Sequence, residues 1–263
     1  MASSVPMSEE RRISIGRVFQ LAFATIAHNP LVVLGVAAVL GALPSVIFSY
    51  VTTSFTTATI ANGGSMTSVW GAMLFSWTVS LIIAAVVQGA LTRATVSERE
   101  GNQASFGDCI TAGLRVFLPL IGVGLIYGFA VAIGCVLLVV PGIIIMVIWS
   151  VAAPAVVVER DGAMAALGRS SELTKGNRWR IFGLFLVLLV IYLIFFMVLG
   201  VVGMKSMTAA AAAGQFGVAN IVVGAITALV FNLLWGTIQP ALYLELRECK
   251  EGDSVEHLEQ VFA

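Results

Sequence analysis

Six stretches of this chain are long and apolar enough to cross a bilayer, and no Lys, Arg, Asp or Glu lies well inside any of them. They cover residues 31–51, 69–91, 117–140, 142–158, 181–203 and 221–244. A crossing helix needs about 20 predominantly apolar residues, because each adds about 1.5 Å against a hydrocarbon layer of about 30 Å. Val140-Pro141-Gly142 interrupts what would otherwise be one overlong run, so a tight turn is expected there. Composition points the same way: 59% of the 263 residues are hydrophobic and 11% charged, where soluble domains carry about 25% charged residues. A water-soluble globule is excluded, and no polar stretch has room for a separate catalytic domain.

Fourteen Lys and Arg balance fourteen Asp and Glu, so charge is informative here only by position. Residues 52–68 and the Pro141-Gly142 turn carry no charge, and 204–220 holds only Lys205. Every other cation falls on the opposite side of the spans, so by the positive-inside rule both termini are expected to be cytoplasmic. Trp70 near one face and Trp179 near the other suit interfacial anchoring or packing against lipid. The polar start, with no small-residue cleavage site after it, is unlike a removable signal peptide. Cys109, Cys135 and Cys249 are expected to be reduced.

Each pair of spans is preceded by a short segment of helical periodicity. In 14–28, Ile15, Val18, Phe19, Ala22, Phe23 and Ile26 share one face. In 105–116, Phe106, Cys109, Ile110, Gly113 and Leu114 repeat those offsets, and Ser105 with Asp108 can form a capping box. In 161–176 the face thins to Ala163, Ala166, Leu167, Ser170 and Thr174, with Asp161 and Gly176 as its caps. Gln88-Gly89-Ala90-Leu91 and Gln239-Pro240-Ala241-Leu242 also correspond, with Ala153-Pro154-Ala155-Val156 as a shorter version. The expected fold is therefore an all-α polytopic membrane protein: three hairpins, each preceded by a cytoplasmic amphipathic helix, as a pseudo-threefold parallel repeat. A polar N-terminus (1–13), a membrane domain (14–247, repeats near 14–101, 105–162 and 163–252) and a C-terminal tail (248–263) follow. Gly124-x-x-x-Gly128 offers a close helix approach in the third span.

The chemistry within the spans is neutral. No catalytic, metal or cofactor constellation is recognised: His28 and His257 are far apart, no zinc spacing occurs, and no glycine-rich loop opens a helix. Ser76, Thr78, Ser80, Gln88, Thr227, Asn232 and Gln239 are the polar residues at depth. Gln88, Asn232 and Gln239 are either interhelical hydrogen-bond partners, the preferred reading, or liners of a polar cavity. Arg169, Ser170, Thr174, Lys175, Arg178 and Arg180 form the one basic cluster, read either as lipid-headgroup ligands or as positive-inside anchoring.

Residues 141–189 resemble the membrane domain associated with bacterial glycerophosphoryl diester phosphodiesterases. The likeness rests on Pro141-Gly142-Ile143-Ile144, on Ala153-Pro154-Ala155-Val156-Val157-Val158-Glu159, and on the run from Ala165-Ala166-Leu167-Gly168-Arg169-Ser170 through Leu173-Thr174-Lys175-Gly176 to Trp179-Arg180. It implies a protein of the bacterial cytoplasmic membrane with affinity for lipid. It does not imply hydrolysis, because the soluble barrel that performs it in those relatives has no counterpart here. The expectation is a non-enzymatic, lipid-associated accessory or scaffold protein, with membrane lipids as partners and no nucleic acid. The alternative is a transporter or channel for a neutral or amphipathic solute.

Overall fold

A computed structural model describes residues 13–213 and 218–262, with side chains in 13–201 and 221–252. All its elements are helical: α1 (Ile15–His28), α2 (Pro30–Gly35), a π-helical turn (Val36–Ala42), α3 (Leu43–Ala61), α4 (Met66–Arg99), α5 (Phe106–Leu137), α6 (Val139–Ile148), α7 (Ala152–Glu159), α8 (Ala163–Thr174), α9 (Arg178–Ala213) and α10 (Val218–Phe262). Six helical stretches are long and apolar enough to span a membrane, and the chain is an integral membrane protein of the multi-pass kind. Arg11, Arg12 and the side chains of Lys205 and His257 lie outside the described residues.

Prolines stand near two of the irregularities in these helices, while Pro119 and Pro240 lie within continuous ones. Pro44 has no N–H for the carbonyl four residues back, and the widened turn just before it accommodates the ring. The expected turn at Pro141-Gly142 falls elsewhere: Leu138, extended at φ −163°, makes it, and Pro141 occupies the first turn of α6. There its missing N–H removes no helical bond. The expected single span 142–158 is in fact two helices, interrupted at Trp149–Val151. Pro154 is the cause, since it can neither donate to the Ser150 carbonyl nor clear it. Pro240, by contrast, sits inside an unbroken α10.

The segment 105–116 is likewise not a separate helix. It is the first third of α5, which runs on into the apolar span without a break. The Ser105 hydroxyl accepts from the Asp108 N–H at 3.1 Å and caps it. α8 does stand alone, but Gly162 rather than Asp161 holds its N-cap position, and no side chain caps it. Gly176, at φ 90°, ends that segment in the left-handed region glycine tolerates. α9 and α10 continue beyond the expected span ends, to Ala213 and Phe262.

Glycines set the closest approaches, though not the pair expected. Gly124 and Gly128 face open space. Instead a Cβ on Gly89 would lie 2.8 Å from the Gly113 Cα, where α4 crosses α5. One on Gly134 would lie 2.9 Å from the Gly142 Cα, where α6 returns along α5. Small residues of this kind let helix backbones meet where lipid offers no hydrophobic drive to association.

The N-terminal end of α1 is fastened by parts of the chain far away in sequence. The Ile13 N–H donates to Asn177 Oδ1 at 3.4 Å, and its carbonyl accepts from Arg180 Nη1 at 2.6 Å. Glu245, almost wholly buried, accepts from the Ser14 N–H at 3.2 Å and pairs with Arg17 at 3.2 Å. At its other end His28, exposed, meets Glu98 of α4 at 2.5 Å.

Gly113→Ala drives a methyl into the Val86 carbonyl and is expected to destabilise the detergent-solubilised protein by about 1–3 kcal/mol, as overpacking does. Gly124→Ala meets nothing and should leave the thermal midpoint in place; equal effects from the two would contradict the packing described.

Candidate functional site

The basic cluster 169–180 separates once it is folded. Arg169 donates to Glu159 at 2.7 Å and also pairs with Glu251. The hydrogen bond to Glu159 holds the Arg169 guanidinium pKa above its ordinary value, burial opposes this, and the bond to Glu251 adds to the rise. Tyr243 donates to the same Glu159 oxygen at 2.7 Å, so Arg169 belongs to an internal polar network joining α7, α8 and α10. Arg180 holds the Ile13 carbonyl. Lys175 and Arg178 remain exposed, and Trp179 beside them is 85% exposed.

Ser170 and Thr174 lie inside the protein rather than on the exposed side with Lys175 and Arg178. Both are fully buried, with their hydroxyls on backbone carbonyls of the chain itself. The Ser170 hydroxyl donates to the Ile148 carbonyl at 2.9 Å and accepts from the Val151 N–H at 3.3 Å, and the Thr174 hydroxyl shares its proton between the Ser170 carbonyl at 2.9 Å and the Ile148 carbonyl at 3.2 Å. The two hydroxyls thus close the backbone groups left open by the break between α6 and α7. The face of α8 was legible from its spacing, but its target was not. The only signal for it was Pro154, four residues after Ser150. The Ser150 hydroxyl itself is buried without a hydrogen-bond partner among the described residues.

The three amides converge. Gln88 of α4 donates to Gln239 of α10 at 3.0 Å, and Asn232 donates to the Ala228 carbonyl of its own helix at 2.7 Å. Asn232 also packs against Gly41 in the π-helical turn, where an added Cβ would lie 3.1 Å from its amide. All three line a cavity of about 240 Å³. Its walls include Tyr127, Phe231, Trp235 and Trp149, the last at the break itself. Trp235 stacks between Phe185 at 5.9 Å and Phe231 at 6.2 Å. The remaining polar residues go elsewhere: Thr227 lines a cavity with Ser45 and Thr53, and Ser76 and Ser80 line another with Thr52 and Thr56.

The amide cavity offers hydrogen-bond donors and acceptors within aromatic walls. No carboxylate, imidazole, amine or thiol lines it. Such a lining can hold a neutral polar group attached to an apolar body. Among the described residues no three His, Cys, Asp or Glu come together as metal ligands, and no disulfide forms.

A family model described as a domain of unknown function, DUF7847, matches residues 13–245. No curated protein and no solved structure matches the chain.

Replacing Ser170 by Ala together with Thr174 by Val strands the Ile148 carbonyl. The expected cost is about 1–3 kcal/mol, the usual penalty for an unsatisfied buried group, read as an earlier thermal midpoint in detergent. Lys175→Ala, on the exposed side, should unfold with the wild type, and a double variant that did the same would remove the hydroxyls from this role.

Proposed function

Because the chain belongs to the DUF7847 family, whose match covers residues 13–245, its role has to come from the site, and we propose that it is a non-enzymatic membrane protein that holds a neutral, lipid-like amphiphile. The observation that carries this is the amide pair Gln88–Gln239 facing an aromatic-walled cavity in a bundle with so few other polar groups. Burying amides among apolar helices is unfavourable unless they are satisfied, and a ligand hydroxyl or ester can share in that satisfaction. The likeness of 141–189 to a phosphodiesterase-associated membrane domain points towards a lipid setting as well. In this reading the chain lies in the bacterial cytoplasmic membrane as three parallel hairpins, with its charged face and both termini in the cytoplasm. It serves a partner as an accessory or scaffold.

One observation favours a second reading, transport of a neutral or amphipathic solute: Trp149, at the break in the fourth span, lines the same cavity. Discontinuous helices beside a binding site are recurrent in transporters. Flux of such a solute into proteoliposomes, abolished by Trp149→Ala, would move the assignment there.

The primary test uses a brominated monoacylglycerol as quencher of the cavity tryptophans. Wild type is expected to show saturable quenching. The variant Gln88→Leu/Gln239→Leu, which removes both amides together and leaves neither unpaired, should bind about tenfold more weakly, as loss of one or two hydrogen bonds implies. Unchanged affinity in that variant overturns the proposal.

A further inference from the structure

Another cavity, of about 410 Å³, opens at the charged end of the helices and shares no lining residue with the amide cavity. Three arginines from three elements line it: Arg93 of α4, Arg115 of α5 and Arg160, which follows α7. Glu100 and Asp108 line it as well, and Glu100 stands 3.8 Å from Arg93. Arg17, Arg99, Arg169 and Arg247 each sit on a carboxylate. Among the described residues Arg115 and Arg160 are in no ion pair. Three guanidinium groups facing two carboxylates leave the cavity positive, and Val116, Val157 and Val158 give it an apolar flank.

The backbone at Arg160 is the second observation. Its φ of 57° makes it the one non-glycine residue with positive φ among those described, and it closes α7 in the left-handed conformation. Helices that end this way usually place glycine there, because a Cβ is strained in that region. Arginine stands where glycine would relax the turn, and that conformation accompanies a guanidinium lining the cavity.

We propose that this cavity binds a phosphate-bearing anion, with Arg115 and Arg160 as its ligands and Arg93, partly matched by Glu100, as the third cation. The chemistry is that of a phosphate ester, whether on a phospholipid headgroup or free in solution. Guanidinium forks match phosphate oxygens in pairs, and a basic pocket between helices with an apolar flank accepts a headgroup together with the start of its chains. The site stands apart from the amide cavity, so its failure would leave the neutral-amphiphile reading untouched.

The test uses the full chain in neutral detergent, with phosphatidylglycerol, phosphatidylcholine and glycerol 3-phosphate as probes, read by native mass spectrometry and by thermal protection. Wild type is expected to retain phosphatidylglycerol over phosphatidylcholine, and Arg115→Gln/Arg160→Gly to lose that preference by about tenfold or more, as removal of two cations implies. Arg160→Gly alone should unfold no earlier than wild type, since glycine relaxes the turn, while still weakening retention; this separates binding from folding. Protection by glycerol 3-phosphate without a lipid preference, lost in the double variant, supports the site with a free ester as its ligand. Equal retention of every probe in wild type and in Arg160→Gly overturns it, as does a wild type that binds neither of the anionic probes, phosphatidylglycerol and glycerol 3-phosphate, above the zwitterionic phosphatidylcholine.

Discussion

Within an apolar layer a backbone carbonyl that loses its helical partner can find another only in the protein itself. That requirement organises the middle of this molecule. Pro154 opens the fourth span, the opening exposes the Ile148 carbonyl and the Val151 N–H, and α8 folds back so that Ser170 and Thr174 reach them. Once α8 is committed there, Arg169 on its flank is brought to Glu159 and Glu251, and Tyr243 of α10 joins the same carboxylate. One interruption in one helix therefore fixes the relation of α7, α8 and α10.

Some of this was readable from residue order alone and some was not. The six apolar stretches were, because hydrophobicity over about 20 residues is a local property. So was the face of α8, and Gln88 and Gln239, expected as interhelical hydrogen-bond partners, do meet. The destination of a side chain was not readable. Ser170 and Thr174 beside arginines look like headgroup ligands until the break that needs them is seen, and that break lies more than a dozen residues upstream. Gly124 and Gly128 have the spacing of a packing motif but face open space, while the close approaches occur at Gly89–Gly113 and Gly134–Gly142, which share no linear pattern. Where 105–116 joins the third span, amphipathic periodicity runs into uniform apolarity with no helix breaker, and the chain stays helical through the junction.

The amide cavity and the arginine cavity differ in polarity. One, walled by aromatics and amides, is matched to uncharged groups; the other, at the charged end, holds three arginines against two carboxylates.

The fastening of α1 bears on how the chain is assembled. Its first residues are made early, yet the groups that satisfy them, Asn177, Arg180 and Glu245, belong to the last third of the sequence. During synthesis α1 emerges and must wait while some 150 further residues are inserted before any of these partners exists. Of the described helices α1 comes first in the chain, yet the ring around its start can close only when residues from 177 to 245 are in place, a step that separates a finished bundle from a set of inserted spans.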